Sequence, residues 1–97
     1  MNIELRNSVL GAAGGNTKDF GYVYASTYIK VYHTALEYCG NKEIAENIVH
    51  DAYVCIWANI RTLSNPDGIF EWCENITVLT AKGYGYKERK HSYDIKS

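Results

Sequence analysis

The sequence has 97 residues, a formal net charge of −1 at neutral pH and a hydrophobic content of 46%. This length fits one domain with a modest core, and no stretch approaches the roughly 20 apolar residues that a membrane-spanning helix requires. A charge so close to neutral argues against a protein that binds DNA on its own, because phosphate neutralisation drives much of that affinity. It fits a module that meets nucleic acid only after a larger partner has placed it there.

Chemistry-bearing residues form no recognisable catalytic or metal motif. Cys39, Cys55 and Cys73 are widely spaced without a CxxC pair, and the three histidines are too scattered to predict a metal site. Each cysteine lies at or beside an apolar position, so we expect small core or near-core thiols in a reducing cytoplasm. The run Gly11–Gly15 lacks the lysine and the preceding strand of a phosphate-binding loop. The sequence therefore predicts no metal and no cofactor.

In chain order, Asn2–Ala13 predicts a short helix that Gly14 and its neighbouring glycines end. Asn16 or Thr17 can cap the next helix. Its apolar residues recur at steps of three and four, which is the spacing of one helical face: Phe20, Tyr24, Thr27, Tyr28, Val31, Ala35 and Tyr38. Gly40 is a natural end to this helix because glycine readily adopts the left-handed conformation of a helix terminus.

A second long helix begins after Asn41, and its link to the first is so short that the two must pack as an antiparallel hairpin. The predicted apolar stripe of this helix consists of Ile44 or Ala45, Ile48, Val49, Ala52, Cys55, Ile56, Ile60 and Leu63. Ser64–Asp67 then combines a capping residue, an early proline and an acid, which predicts the start of a third helix. We expect that helix to run through Phe70, Cys73, Ile76 and Leu79 or Thr80, and to fray or kink near Gly83.

These elements predict an all-α bundle of three long helices, with a short N-terminal helix as a further candidate. We place the domain at residues 17–91, an N-terminal segment at 1–16, and a tail or the start of a linker at 92–97. Acids dominate Glu37–Asp51, whereas basic residues dominate Lys82–Lys90. This contrast fits two different partner surfaces, and it equally fits ordinary solvated helix faces.

One flank of the second helix is not explained by core packing. Its residues step by three and four along the helix and mix an amide, an imidazole, a carboxylate and a large aromatic: Asn47, His50, Asp51, Val54 and Trp57, with Tyr53 beside them. Large aromatic residues among polar groups are typical of interface anchors. Alternatively, Trp57 closes the edge of the core while the polar residues face water.

The run Ala45–Ile60, AENIVHDAYVCIWANI, resembles region 2.2 of bacterial sigma factors of the extracytoplasmic-function type, whose pattern is AEDLVQExFxxxWxx[IL]. The aromatic-rich helix and the glycine-containing turn before it are also similar to that family. Asp67–Trp72 is similar to the segment that leads into the family's DNA-contacting helix. Together these likenesses cover about Asp19–Lys90, and they imply the helical region-two module of a sigma factor.

The resemblance implies that the second helix docks on the clamp helices in the largest subunit of core RNA polymerase. The corresponding positions in this sequence are Asn47, His50, Asp51, Tyr53, Val54 and Trp57. Asn47 stands where an acid is usual and His50 where a glutamine is usual, so the acidic role would rest on Asp51. The expected setting is the bacterial cytoplasm, in association with the nucleoid, with an anti-sigma factor as a further candidate partner.

The resemblance also implies that the third helix and the loop before it engage the promoter minus-ten element as a non-template single strand with a flipped-out base. Cations for phosphates and aromatic rings for an unstacked base are provided by Arg61, Trp72, Lys82, Tyr84, Tyr86, Lys87, Arg89 and Lys90. Leu79 and Gly83 depart from the family, which commonly has an asparagine and then an acid at these positions. The resemblance further implies a helix-turn-helix domain that would follow a linker.

Three functional interpretations remain open from the sequence. The first is a transcription-initiation module that docks on polymerase and melts the minus-ten element. The second is a sigma-like protein-interaction domain that no longer recognises a promoter, which Leu79, Gly83 and the net charge favour. The third is a small enzyme, which would require a reactive thiol at Cys39 near His33 or at Cys55 near His50.

Overall fold

A computed structural model describes residues 2–87 of the chain. This part contains four helices, α1 (Ile3–Ala13), α2 (Thr17–Cys39), α3 (Lys42–Asn59) and α4 (Ile69–Gly83), with two 3₁₀ turns, Ile60–Thr62 and Pro66–Gly68, between α3 and α4. No strand occurs within residues 2–87, so the predicted all-α class is confirmed. The short N-terminal helix is present as α1, and the three helices after it are longer. None of the described helices is both long and apolar enough to cross a lipid bilayer.

The structure confirms the predicted caps of α2 and α3, the two helices that form the hairpin. Asn16 caps α2 by accepting a hydrogen bond from the backbone N–H of Asp19 at 2.9 Å, and Asn41 caps α3 through the N–H of Ile44 at 3.0 Å. Gly40 ends α2 with a φ of 66°, in the left-handed region that favours glycine. With only two residues between the helices, α3 must return antiparallel along α2.

Helix α1 belongs to the same core as the other helices. Leu5, Val9 and Ala12 are buried in the core cluster that α2, α3 and α4 also form. Gly11 lies where α1 faces the start of α2: a Cβ atom there would come within 1.8 Å of a carboxylate oxygen of Asp19, so a larger residue would require that side chain to move. A salt bridge of 3.0 Å between Arg6 and Asp67 also links α1 to the turn before α4. The exposure of this pair makes its contribution to stability small.

Buried hydroxyl groups are satisfied inside the core by backbone carbonyls one turn earlier. Thr27 donates to the carbonyl of Val23 at 2.9 Å, and Thr77 donates to that of Cys73 at 2.7 Å. Within the described part of the chain, no buried side-chain nitrogen or oxygen lacks a hydrogen-bond partner. Burial of these threonines therefore avoids the penalty of an unsatisfied polar group.

Three residues of the predicted apolar stripes, Tyr24, Cys55 and Leu79, are exposed, and their assignment to the core was wrong. Cys55 is exposed because it lies at the edge of α3, about 100° of helical rotation before the buried Ile56. Leu79 is 67% exposed, since α4 turns a different face inward. The buried residues of that helix are Ile69, Cys73, Thr77 and Ala81. The regular helix ends at Gly83, the residue near which we expect fraying or a kink, and Gly85 follows with a φ of 95°.

Candidate functional site

The flank of α3 predicted to bind polymerase divides between two edges of the helix. His50, Tyr53, Val54 and Trp57 line a groove between α2 and α3, whereas Asp51 bonds Tyr84, which directly follows α4. The remaining member of the set, Asn47, is exposed and lines neither groove. The structure therefore places four of the six residues in one groove, while Asp51 lies outside that groove but contacts His50.

The first groove, which we call the aromatic groove, has a volume of about 420 Å³. It is lined on α2 by Thr17, Phe20, Tyr24 and Tyr28, and on α3 by Glu46, Val49, His50, Tyr53, Val54 and Trp57. Val49 and Tyr53 are buried and form its floor. Val54 and Trp57 are 57% and 38% exposed and form the wall on the α3 side. Such a concave apolar surface with few polar groups is the usual form of a binding site.

Aromatic rings from α2 and α3 contact one another along this groove. The ring centroids of Phe20 and Trp57 are 4.7 Å apart, and those of Tyr24 and Tyr53 are 4.5 Å apart. Tyr28 continues the row at 5.5 Å from Tyr24. Tilted and edge-on pairs at these distances are favourable beyond the area that they bury. The rings therefore stabilise the hairpin and shape the groove at the same time.

Tyr53 shapes the groove from below and offers little surface to a partner. Its hydroxyl lies 2.6 Å from Oγ1 of Thr27. Because Thr27 uses its only hydroxyl proton to bond the carbonyl of Val23, Tyr53 is the donor in this pair. Burial raises the pKa of Tyr53 above its ordinary value. Tyr53 therefore remains a neutral hydrogen-bond donor that fixes its ring.

On the other edge of α3, the carboxylate of Asp51 accepts a hydrogen bond from the hydroxyl of Tyr84. Nδ1 of His50 lies 3.4 Å from the second carboxylate oxygen. The Tyr84 bond, followed by the contact with His50, lowers the pKa of Asp51 below its ordinary value of 3.8. The same bond raises the pKa of Tyr84. At neutral pH, Asp51 is therefore an ionised acid that is held against the end of α4.

A second groove, the α4 groove, lies between α3 and α4 and has a volume of about 680 Å³. Its lining consists of Cys55, Asn59, Thr62, Trp72, Ile76, Leu79, Thr80, Gly83 and Tyr84. Two of the predicted DNA-binding aromatics, Trp72 and Tyr84, therefore line the same groove. Leu79 and Gly83, where the sigma family has polar residues, lie in the same groove.

The other predicted DNA-binding residues do not line the α4 groove. Arg61 lies beside Trp57 in a small cavity of about 170 Å³ at the end of α1. Lys82 and Lys87 are exposed outside the groove, and Tyr86 packs partly buried against the core. Arg89 and Lys90 lie outside the described residues. The groove thus combines aromatic and aliphatic side chains with neutral polar ones, without a lysine or arginine among the residues that line it.

Sequence reasoning missed the contribution of α2 to the aromatic groove. Phe20, Tyr24 and Tyr28 were assigned to the core, yet Tyr24 is 41% exposed and the other two are only partly buried. Their spacing of four residues could have indicated a position at the edge of the helix. Each such step advances 40° around a helix, so a strict row of this kind drifts from the core face onto an edge.

Residues 2–87 contain no group of three or more histidine, cysteine, aspartate or glutamate residues placed to hold a metal ion. Cys39 and Cys73 are buried, and burial raises the pKa of the Cys73 thiol to about 12. Cys55 is the exposed thiol of the three cysteines and lies in the α4 groove. His50 contacts Asp51.

Comparison with known proteins adds no assignment. No family model, no curated protein and no solved structure matches the chain. The likeness of Ala45–Ile60 to sigma region 2.2 therefore rests on the residue pattern alone, and function must be argued from the two grooves and the edges of α3.

Proposed function

We propose that this chain is a non-catalytic transcription-initiation module that docks on core RNA polymerase through α3 and engages the minus-ten promoter element through the α4 groove. The observation that carries the proposal is the exposure of Val54 and Trp57 on α3, about one and two turns from His50 and Asp51. The same stretch of helix carries the residue pattern that resembles sigma region 2.2.

The docking step is supported by the chemistry of this surface. An exposed tryptophan beside an aliphatic residue supplies apolar area that a partner helix can bury, and large aromatics frequently dominate binding energy at interfaces. Asp51 supplies an ionised acid on the adjoining edge, which suits an arginine or lysine of the partner. Together, Trp57 and Asp51 would provide an anchor and a polar contact that fixes orientation.

The docking proposal is tested by pull-down of the full chain with core polymerase. We expect the wild-type protein to be retained, and Trp57→Ala and Asp51→Ala to weaken retention. Val54→Asp places a charge on the same surface and should also weaken it, at little cost to folding because the side chain is exposed. Ile29→Asp is the matched control, since Ile29 is an exposed apolar residue on α2. Absence of wild-type binding contradicts the proposal.

Promoter engagement is supported by two aromatic residues, Trp72 and Tyr84, that both line the α4 groove. Stacking of a base on an aromatic side chain is worth about 1–3 kcal/mol and does not depend on which base is present. A groove of about 680 Å³ has room for an unstacked base. Lys82 and Lys87, exposed near the end of α4, would supply cations for the phosphates on either side.

A second candidate function is protein interaction without promoter recognition. The observation in its favour is the composition of α4, where Leu79 and Gly83 occupy the groove and Glu71 is exposed near the start of the helix. An apolar residue and a glycine offer no side-chain hydrogen bonds for base readout. An acid on the same helix opposes the approach of phosphate.

Binding to a single-stranded minus-ten oligonucleotide at two salt concentrations distinguishes the two candidates. Promoter engagement predicts affinity that falls steeply with salt, because phosphate contacts release counterions. It also predicts loss of affinity in Trp72→Ala and in Lys82→Ala, each compared with wild type. Binding that is absent or insensitive to salt, together with intact polymerase retention, favours the interaction module.

A further inference from the structure

The aromatic groove lies between two antiparallel helices, and most of its lining is apolar. We propose that it binds an amphipathic α-helix of about three turns, with a lysine or arginine lying over Glu46. This inference concerns a partner that uses α2 as well as α3. The polymerase proposal rests on α3 alone, and its residues His50, Tyr53, Val54 and Trp57 also line this groove.

The length of the groove sets the length of the occupant. Glu46 marks one end of the α3 wall and Trp57 the other, eleven residues further along the helix. At 1.5 Å per residue this wall is about 17 Å long, which corresponds to about three turns of a partner helix. The row that begins at Phe20 lines the facing wall on α2. A third helix laid between the two would complete the packing of a small bundle.

The spacing of the aromatic rings favours a helix over an extended peptide. Phe20, Tyr24 and Tyr28 repeat every four residues, which is about 6 Å along α2. A partner helix presents its own side chains at the same interval, so that its residues can alternate with the rings along the whole groove. A proline-rich segment repeats every three residues at about 9.3 Å and falls out of register after one contact. The repeat therefore selects a helical occupant.

The charge of the groove determines which charged residue the partner helix must carry. Glu46 is an exposed acid at one end of the groove, and no lysine or arginine is among the lining residues. A nucleic acid strand would meet aromatic rings but no cation, which removes the main source of its affinity. A helix with a lysine or arginine at the end that lies over Glu46 is complementary. At the Trp57 end the occupant should instead be apolar, so the two ends fix its direction.

The floor of the groove is already ordered. The bond between Tyr53 and Thr27 holds the central ring, and Tyr24 packs against that ring. A surface that is rigid before binding loses less conformational freedom when a partner arrives, and more of the contact energy then appears as affinity. The groove thus has the shape, register, charge and rigidity of a helix-binding site.

The probe for this site is a synthetic helical peptide of twelve to fourteen residues, with leucines at i, i+3, i+4 and i+7 and a lysine positioned for Glu46. Its affinity for the full chain is measured by fluorescence polarisation, beside a peptide with glutamate in place of the lysine and a scrambled peptide. We expect the lysine peptide to bind about threefold more tightly than the glutamate peptide, as a rim charge allows. The scrambled peptide should not bind.

Variants on α2 separate this site from the polymerase surface. Tyr24→Ala should weaken the lysine peptide by at least about tenfold, as expected for a central aromatic anchor. Ile29→Ala, a change at an exposed residue outside the groove, should have no effect. Glu46→Lys should reverse the preference between the lysine and glutamate peptides even if it alters overall affinity. Asp51→Ala should leave peptide binding unchanged while it weakens polymerase retention.

The proposal is overturned if Tyr24→Ala binds the lysine peptide as tightly as wild type. It is equally overturned if Glu46→Lys keeps the original preference, or if an oligothymidine strand binds in the groove more tightly than the peptide does. Circular dichroism of each variant shows whether the fold is retained. The charge-reversal comparison does not depend on stability, because both peptides are measured on the same protein.

Discussion

Replacing Tyr53 by phenylalanine isolates the hydrogen bond beneath the aromatic groove. The ring and its contact with Tyr24 at 4.5 Å remain, and only the bond of 2.6 Å to Thr27 is lost. Thr27 still donates to the carbonyl of Val23, so no buried donor is left unpaired. The expected cost is that of one net hydrogen bond, about 1 kcal/mol. With a urea dependence of about 1 kcal/mol/M for a domain of this size, the unfolding midpoint should fall by about 1 M.

Removing the acceptor of this hydrogen bond instead of its donor has a different expected cost in stability. Thr27→Val leaves the buried hydroxyl of Tyr53 without an acceptor, which costs about 1–3 kcal/mol. In the double variant no donor remains unpaired, so the sum of the single effects should exceed the measured loss by about 1 kcal/mol. Urea unfolding of the four proteins, followed by circular dichroism, measures this coupling. A neutral Tyr53→Phe change together with additive single effects would refute the role assigned to the bond.

Three further outcomes follow from other parts of the molecule. Gly40→Ala should lower stability by about 1 kcal/mol in thermal unfolding, because alanine at a φ of 66° is strained. Cys55 should react with a thiol reagent at once, whereas Cys73, buried and with its pKa raised to about 12, should react only on unfolding; equal rates would contradict the burial. Tyr84→Phe should raise the pKa of Asp51 toward 3.8 in an NMR titration. Because the pKa of Asp51 is lower in the folded state than in the unfolded state, its contact with Tyr84 stabilises the protein above pH 3.8. This stabilisation is lost as the pH falls through the lowered pKa.

Local signals in the sequence were sufficient for the helix ends. Asn16 and Asn41 act through hydrogen bonds to amides three residues away, and Gly40 acts through its own backbone angle. None of these interactions depends on how the helices pack. The all-α class and the antiparallel hairpin therefore followed from residues within a few positions of one another.

Side-chain exposure could not be predicted so well, because it depends on which neighbour covers each edge of a helix. Tyr24 satisfies an apolar repeat and is still exposed, since no described helix packs over the outer edge of α2 and α3. Cys55 fits the stripe of α3 by spacing, but α4 leaves a groove at that position. The division of the α3 flank, with His50 and Asp51 on different edges, likewise depends on packing between distant segments.

The contact between Asp51 and Tyr84 links the surface proposed for polymerase to the groove proposed for DNA. A carboxylate can accept more than one hydrogen bond, so a partner lysine could bond Asp51 on the His50 side while Tyr84 keeps its place. An arginine that binds both oxygens must instead displace the Tyr84 hydroxyl, which alters one wall of the α4 groove. The two cases predict different behaviour of Tyr84→Phe in polymerase binding. Tighter binding indicates displacement and coupling between the surfaces, whereas unchanged affinity indicates that polymerase and DNA would be bound independently.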